Sequence, residues 1–397
     1  MAAQPTRADT VRAASEIVNS LRAGDGEHIS ETERVSLLQK AKSLAMQLEK
    51  PEDGLIKMAF AGAELMAVRI CVDLNIFAIL AEKEVTSAKE LSTKTGADEA
   101  LIRRLLRVLT ATSIVAEHGA GMYGPTPWTE KLCMRTTASM IKFMQGMVAP
   151  CFNHAPKYFA EEGHHNPQDP SNVVFQRAFD AKGITVFPWF MKPENKQYWE
   201  DATGFFECDR GSRPSWVKWF PVREKLLTGL REEGPLLVDV AGGRGHDITE
   251  FLEQFPDVSG RLVLQDLQPV LDSATLSPRI EKHAINFFED VPIQGSRLYF
   301  MKFIMHDYND EQCLVILKNV AQAMKKGYSQ LVINDFILPD VGCPELSARW
   351  DMSMMTIMGG IERTETQWRS LMDTAGFHVE GLYQPPGDGQ GIIVLSL

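Results

Sequence analysis

The sequence of 397 residues lacks several features that would assign it quickly to a class of protein. No uninterrupted apolar run reaches the ~18 residues that a membrane-spanning helix needs, and the first residues lack the layout of a secretory signal. The six cysteines are scattered without a C-x-x-C pair, which disfavours a zinc site or a disulfide framework in a chain of this size. We therefore expect a soluble, cytoplasmic protein that holds no metal and contacts no membrane.

Basic residues are scarce relative to acidic ones. The 41 Lys and Arg against 52 Asp and Glu give a formal net charge of −11, which disfavours a general nucleic-acid binder. Hydrophobic residues make up 44% of the chain and charged residues 23%, so the chain can bury a sizeable core. Its length suits two domains.

The first half, up to about Trp219, carries its apolar residues mostly at helical spacing. A long helix is predicted over residues 59–80. Residues 84–130 then predict the helix, helix and hairpin of a winged-helix outline, in the order SAKELSTKTG, ADEALIRRLLRVLTATS and IVAEHGAGMYGPT. Arg103, Arg104 and Arg107 lie where a DNA reader would carry basic residues, but the overall acidity favours a helix that packs on its neighbours.

From Pro235 the pattern changes to short aliphatic and β-branched runs separated by helical stretches. The runs are LLVDVA, RLVLQDL, RLYFMKF, QLVINDF and GIIVLSL. This alternation predicts an α/β fold with a parallel, doubly wound sheet. The last strand is expected to run antiparallel, because GFHVEGLYQPP and GIIVLSL lie close together. We expect a helical domain over residues 1–225 and a sheet domain over residues 226–397.

A glycine-rich loop, Asp239-Val-Ala-Gly-Gly-Arg-Gly245, follows the first predicted strand of the sheet domain. Ligands of such sheets bind at the carboxyl ends of the strands, where the strand order reverses. Asp266 follows the second strand and could accept hydrogen bonds from ribose hydroxyls. The dinucleotide pattern G-x-G-x-x-G fails at Ile248, and no Gly-Lys-Ser/Thr of a phosphate-binding loop is present. What remains is a nucleoside ligand without phosphates, which fits S-adenosylmethionine (SAM, S-adenosyl-L-methionine).

The second half of the chain resembles the small-molecule O-methyltransferases of plants and fungi, most closely the fungal branch. The motifs that carry the resemblance are RPSWVKWFPV, LLVDVAGGRGHDITEFLEQFP, RLVLQDL, YFMKFIMHDYNDEQC, LVINDFILPD and MGGIERTETQW. The helical first half is similar to the dimerisation domain of that family. The resemblance implies a Rossmann-like class I methyltransferase domain, a winged-helix-like dimerisation domain, SAM as cofactor, and a homodimer that acts on a small-molecule substrate.

The resemblance also implies which residues bind the cofactor. Gly243 and Gly245 would line the methionine end of SAM, and Asp266 would bind both ribose hydroxyls. Further residues that it places at the cofactor are Asp239, Asn286, Phe287, Lys302 and Tyr308, with Asn286, Phe287 and Tyr308 at the adenine. The chain departs from the family pattern at Ala241, where the loop normally has its first glycine, and at Asn286, where an aspartate is usual.

His306, in the segment FIMHDYND, is the candidate general base. A neutral phenol with a pKa of about 10 is a poor nucleophile, so a base placed beside it favours methyl transfer. Its position after a strand is by itself more typical of a structural histidine. The resemblance implies that His306 is catalytic and that Asp335 and Glu362 hold its imidazole. For Asp307 we expect a structural role at the start of the next helix, which it or Asn309 would cap.

A methionine-rich segment, Asp351-Met-Ser-Met-Met-Thr-Ile-Met358, places methionines at helical spacing. The resemblance puts this helix beside the acceptor, which makes Met355 and Met358 candidate substrate contacts. Methionine suits an adaptable pocket for flat apolar molecules, although core packing explains each residue singly as well.

Three functions are compatible with these features. The first is a SAM-dependent O-methyltransferase that acts on a phenolic or polyketide-like secondary metabolite with His306 as base. The second is a relative similar to fungal pericyclases, which keeps SAM as a fixed cation while Lys302 and His306 polarise a substrate carbonyl. The departures in the cofactor site favour the second, whereas the histidine with its two acids favours the first. The third is a non-enzymatic winged-helix regulator.

Overall fold

The computed structural model describes residues 6–23, 28–208, 213–231 and 234–397. These residues form two compact units. One comprises the chain up to Pro150 and residues 190–208, and the other comprises residues 151–189 and the chain from residue 213 onward. This division differs from the expected boundary at residue 225. Val222 and Leu226 already belong to the core of the sheet unit, and residues 174–178 pack against a helix of that unit.

The chain up to residue 208 is mostly helical. Its helices are α1 (Arg7–Ala23), α2 (Glu31–Leu48), α3 (Pro51–Asp73), α4 (Ile76–Ala81), α5 (Ala88–Thr95), α6 (Glu99–Ala111), α7 (Pro127–Leu132), α8 (Arg135–Phe143), α9 (Ala149–Glu161), α10 (Val174–Ala178), α11 (Val186–Phe190) and α12 (Lys196–Phe206). The helix predicted over 59–80 is therefore two helices. Asn75 adopts a left-handed conformation with φ of 55°, which ends α3 and turns the chain into α4.

The winged-helix outline is present in the first unit. Its three short strands are β1 (Thr86–Ser87), β2 (Ala116–Gly119) and β3 (Met122–Gly124), paired antiparallel in the order β1-β3-β2. The Ser87 hydroxyl accepts the Glu90 N–H at the start of α5, and Gly96 ends that helix with φ of 73°. The predicted helix, helix and hairpin are thus confirmed.

The second unit contains the large sheet. Its further helices are α13 (Trp216–Trp219), α14 (Val222–Lys225), α15 (His246–Gln254), α16 (Gln268–Ser273), α17 (Asp310–Ala323), α18 (Glu345–Met358) and α19 (Glu365–Thr374). Its strands are β4 (Pro235–Val240), β5 (Arg261–Asp266), β6 (Ile280–Ala284), β7 (Leu298–Lys302), β8 (Gln330–Asn334), β9 (His378–Tyr383) and β10 (Ile392–Ser396). No helix within the described parts of the chain is long and apolar enough to span a membrane.

The large sheet has the strand order β6-β5-β4-β7-β8-β10-β9. Strands β4 to β8 pair in parallel, and β10 runs antiparallel to both β8 and β9, as predicted for the last strand. Strand order reverses between β4 and β7, which makes the carboxyl ends of these two strands the expected ligand edge. Strand β6 was not predicted from the sequence, because it is a largely exposed edge strand and lacks an aliphatic run.

Both faces of the sheet are covered. One face packs on residues of α17 and α19, such as Leu317 and Trp368, and the other packs on residues such as Trp216 and Phe251 of α13 and α15. Burial on two sides explains why the strands read as continuous apolar runs rather than as alternating ones.

Candidate functional site

The glycine-rich loop leaves the carboxyl end of β4 and enters α15. Gly243 and Gly245 have φ of 60° and 78°, and a Cβ on Gly245 would lie 2.8 Å from a methyl carbon of Leu276. A Cβ on Gly242 would lie 2.4 Å from the carboxyl group of Asp239. The loop therefore needs its glycines. Ala241 also has a positive φ, 60°, a conformation that costs an ordinary residue roughly 1–2 kcal/mol.

Asp266 lies beside this loop at the end of β5. Its Oδ2 accepts the Gly243 N–H at 2.8 Å, and its Oδ1 accepts the Leu267 N–H at 2.7 Å. Burial raises the pKa of Asp266 to about 6, although both N–H groups act in the opposite direction. Each carboxylate oxygen retains lone pairs for a ligand.

Lys302, at the end of β7, forms an ion pair with Asp247 in the first turn of α15, with an Nζ to Oδ1 distance of 2.6 Å. Asp247 was not among the residues predicted for the site, although an acid in the first turn of a helix is a recognisable signal. The neighbouring Asp239 is buried, and its Oδ2 has no hydrogen-bond partner among the described residues. Burial, followed by the charge of Asp247, raises the pKa of Asp239 well above its usual value.

An aromatic cluster lies past the ends of β6 and β7. The ring centroid of Phe288 lies 4.9 Å from that of Phe287 and 5.1 Å from that of Tyr308. Asn286 accepts the Phe288 N–H through its side-chain oxygen at 3.2 Å, which fixes the turn before the two phenylalanines. The structure thus adds Phe288 to the predicted pair of Phe287 and Tyr308. Adjacency to Phe287 was the only signal for it in the sequence.

His306 lies in a 3₁₀ turn, Met305–Asp307, that follows β7. Its Nδ1 lies 2.6 Å from Oε1 of Glu362, and its Nε2 lies 3.3 Å from Oδ1 of Asp307. All three side chains are buried. Burial disfavours the imidazolium, but the charges of Glu362 and Asp307 outweigh it and raise the pKa of His306 to about 10. The proton therefore resides on the imidazole at neutral pH.

Asp307 differs from its expected role. Asn309, not Asp307, caps α17, because the Asn309 side chain accepts the Gln312 N–H at 3.0 Å. The Asp307 side chain turns instead toward the imidazole. Burial raises the pKa of Asp307 to about 7, although the His306 charge acts to lower it.

Asp335 also differs from expectation. Among the described residues its hydrogen bond is to the Phe303 N–H, accepted by Oδ1 at 2.7 Å, and not to the imidazole. The Phe303 N–H faces the end of β8, where it also lies 3.3 Å from the Asn334 carbonyl oxygen, and Phe303 has a left-handed φ of 54°. Asp335 is fully buried, and burial raises its pKa to about 6. It therefore holds the backbone that leads to His306 rather than the imidazole itself.

Aromatic rings line one side of the imidazole. The Phe303 ring lies 5.0 Å from the His306 ring and stacks on Trp350 of α18 at 5.6 Å with an interplanar angle of 4°. Helix α18 packs against the turn that bears His306 and also carries the half-buried Met355 and Met358. The structure thus brings the methionine helix and the histidine turn together.

Comparisons with known proteins agree with this geometry. The O-methyltransferase domain family matches residues 222–378, and the O-methyltransferase dimerisation domain family matches residues 56–135. The O-methyltransferase penC of Penicillium thymicola is 34% identical over 92% of this chain and 91% of its own length. This chain belongs to the O-methyltransferase family.

Two solved structures share the fold of this O-methyltransferase family member. LepI in complex with SAM superposes with a TM-score of 0.86 at 28% identity, covering 99% of this chain and 100% of that chain. A structure described as a pericyclic reaction enzyme has a TM-score of 0.87 at 27% identity, covering 98% and 100%. The cofactor of this member of the family is S-adenosylmethionine.

The residues at the edge of the sheet fit that cofactor. The carboxyl groups of Asp239, which is buried, and of Asp266, which is partly exposed, suit ribose hydroxyls and a positively charged ligand. Among the described residues, Oδ2 of Asp239 has no hydrogen-bond partner. The rings of Phe287, Phe288 and Tyr308 offer an apolar surface to a nucleobase. Lys302 already forms an ion pair with Asp247, which agrees with a ligand that lacks phosphates.

Proposed function

We propose that this protein methylates a hydroxyl group of a phenolic or polyketide-like secondary metabolite, with His306 taking the proton. Family membership supports the coarser activity, SAM-dependent O-methyl transfer. The finer proposal rests on one observation. The imidazole, 2.6 Å from the Glu362 carboxylate, follows β7, and β7 pairs in parallel with β4, which leads into the glycine loop. The proton acceptor and the cofactor loop therefore share one edge of the sheet.

Bound SAM supplies an electrophilic methyl group on a sulfonium. Asp266 accepts hydrogen bonds from the ribose hydroxyls through the lone pairs left free by the Gly243 and Leu267 N–H groups. Gly245 leaves space at the methionine end. The further residues that we propose for this site are Asp239, Gly243, Asn286, Phe287, Lys302 and Tyr308. Together they would hold the cofactor.

The proton chemistry of the imidazole suits a phenol. The raised pKa of His306, about 10, matches that of a phenol, also about 10, so the proton moves between them at almost no cost in free energy. The reactive complex carries a single proton between the two groups, either as neutral imidazole beside a phenol or as imidazolium beside a phenolate. It forms from the protonated imidazole and the phenol by loss of one proton to solvent. Glu362 stabilises the imidazolium through Nδ1, which leaves Nε2 and the neighbouring Asp307 to meet the acceptor.

The surroundings of His306 favour a flat apolar acceptor. The ring of Phe303, stacked on that of Trp350, forms an aromatic wall beside the imidazole. Met355 and Met358 add adaptable apolar surface on the same helix as Trp350. A flat aromatic ring would stack on such a wall, and holding its oxygen in line with a methyl group can contribute up to about 7–11 kcal/mol.

A pericyclic reaction is the second candidate function. The similarity to a structure described as a pericyclic reaction enzyme favours it, as does an imidazole that is protonated at neutral pH. In this case His306 would donate a hydrogen bond to a substrate carbonyl. The methyl-transfer proposal requires the opposite, a proton received by His306.

Incubation with methyl-labelled SAM and a panel of phenols and polyketides tests the proposal. We expect label in the product with wild type, loss of label transfer in His306→Ala, and wild-type transfer in the control His378→Ala, since His378 is exposed on β9. Both labelled product and unlabelled isomerised product are measured. Isomerised product without label would overturn methyl transfer and favour the pericyclic alternative.

We further propose that the protein is a homodimer in which a second copy covers α1, α2 and the first half of α3. α2 has no buried residue, and α3 has none before Ala67. Large apolar side chains stay exposed along this arm, among them Met46, Leu48, Met58 and Phe60 at 59% or more. The dimerisation family match begins in α3 at residue 56, so the exposed face continues into that region.

Sedimentation tests the dimer. We expect wild type to sediment at twice 44.4 kDa and Met58→Asp with Phe60→Asp to shift toward 44.4 kDa. Val341→Asp, at an exposed apolar residue of the sheet unit, should leave the mass unchanged. A wild-type protein that sediments as a monomer at micromolar concentration would contradict the proposal.

A further inference from the structure

The turn that bears His306 is held by hydrogen bonds from residues 360–363, which lie later in the chain. The Ile361 N–H donates to the His306 carbonyl oxygen at 2.9 Å, while Glu362 binds the imidazole of the same residue. A Cβ on Gly360 would lie 2.1 Å from the His306 oxygen, so the two segments touch backbone to backbone. Both the main chain and the side chain of His306 therefore depend on this stretch.

Arg363 forms hydrogen bonds to both ends of this turn. Its Nη1 donates to the Met305 carbonyl oxygen at 2.9 Å, and its Nη2 donates to the Tyr308 carbonyl oxygen at 2.9 Å. These carbonyls flank the histidine on either side. Because a guanidinium is a rigid planar fork, it fixes the separation of the two carbonyls, which a lysine ammonium cannot do.

The positive charge of Arg363 is compensated by Asp310, which does not contact His306. Arg363 is 1% exposed, and its Nε and Nη2 bind Oδ1 of Asp310 at 2.9 and 2.7 Å. The guanidinium also lies 5.4 Å from the Trp368 ring. Asp310 is exposed at its other side, so Arg363 does not need the carboxylates that surround the imidazole. Those carboxylates remain available to His306.

The same turn carries a second predicted functional side chain. Tyr308 packs on Phe288 and Phe287, the rings assigned to the adenine. We infer that Arg363 is a positioning residue that holds the imidazole of His306 and the ring of Tyr308 at a fixed separation, and so aligns the acceptor side of the site with the cofactor side. This inference rests on the proposed roles of His306 and Tyr308.

Arg363→Lys tests the inference, because lysine keeps the positive charge but lacks the planar guanidinium that donates to both carbonyls from separate nitrogens. We expect kcat to fall about 10²-fold through misplacement of the imidazole. We also expect the Kd of SAM to rise several-fold, and the imidazole pKa, measured by NMR titration, to fall from about 10 as the Glu362 contact lengthens. The control Arg369→Lys alters an exposed arginine of α19 that pairs with Glu365, and should change none of the three.

A purely structural role would give a different result. In that case Arg363→Lys would lower the melting temperature and leave the imidazole pKa and the Kd of SAM at wild-type values, which would overturn the inference. Asp310→Asn, altered at an exposed carboxylate, provides a milder variant should Arg363→Lys fail to fold. Asp310→Asn should raise the Kd of SAM and lower the imidazole pKa, as expected for Arg363→Lys. Wild-type values of both would count equally against the inference. Neither readout needs turnover, so failure of the methyl-transfer proposal would leave this test intact.

Discussion

The Nδ1 atom of His306 lies 2.6 Å from Oε1 of Glu362, although 56 positions of chain separate the two residues. Asp307 approaches the opposite nitrogen, so the imidazole lies between two carboxylates. The third acid, Asp335, accepts the Phe303 N–H instead of a hydrogen bond from the imidazole. Glu362 thus orients the ring, Asp307 faces Nε2, and Asp335 supports the backbone that precedes His306.

Replacement of His306 by alanine should reduce methyl transfer by about 10²–10⁴-fold, because the proton of the acceptor hydroxyl loses its destination. The Kd of SAM should change little, since the groups proposed to bind the nucleoside are contributed by other residues. Label transfer and calorimetry measure the two effects, with His378→Ala as the control. Turnover that stays at the wild-type rate would remove the assignment of His306 as the proton acceptor.

Replacement of Asp266 by alanine should weaken SAM binding several-fold or more. The ribose hydroxyls lose their acceptor, and the Gly243 N–H loses the partner that holds the glycine loop. Calorimetric titration measures the change, and Asp272→Ala, at an exposed residue of α16, serves as the control. An unaltered affinity would mean that the cofactor lies elsewhere.

The pH dependence of the reaction should separate the two candidate functions. If His306 takes a proton, kcat/KM for the acceptor should rise about tenfold per pH unit above pH 7 and level off near the raised imidazole pKa of about 10. If protonated His306 donates a hydrogen bond, the rate should be flat between pH 7 and 9 and fall near pH 10. Initial rates at fixed ionic strength distinguish these outcomes, and Glu362→Gln should move either profile to lower pH.

Ala241→Gly should stabilise the protein by about 1 kcal/mol. Ala241 has a φ of 60°, where an alanine Cβ is strained and glycine is not. Denaturant unfolding of the apo-protein measures the free energy. Ala375→Gly is the matched control, because Ala375 has an ordinary φ of −77° and should be destabilised by the same change. A loss of stability in Ala241→Gly would show that the loop gains no relief from glycine.

Much of the sheet domain could be predicted because its signals are local. A buried strand, a glycine turn, an amphipathic helix and a second buried strand follow one another from β4 to β5, so the positions of the loop and of Asp266 can be predicted within residues 235–266. The edge strand β6 escaped prediction because its side chains are largely exposed and polar. The break at Asn75 was missed because an apolar pattern continues across it.

The site was less predictable, because its contacts join distant parts of the chain. The resemblance selected His306 with Asp335 and Glu362 as the acids that hold it, but the folded structure decided which carboxylates approach the ring. Asp335 binds the Phe303 amide, and Asp307, next to His306 in the chain, faces Nε2. Nothing in the local pattern of Lys302 or Arg363 indicated Asp247 or Asp310 as a partner.

The amino-acid sequence alone determined the glycine loop and most of the alternation of strands and helices in the sheet domain, because these depend on periodicity and turn chemistry within short segments. The candidate histidine was identified by the resemblance of its segment to a known family. Only the tertiary structure decided which carboxylate binds the imidazole and how the histidine turn is held. Those contacts form when β7, β8 and residues 360–363 meet at one edge of the sheet, and their geometry depends on distances across the fold rather than along the chain.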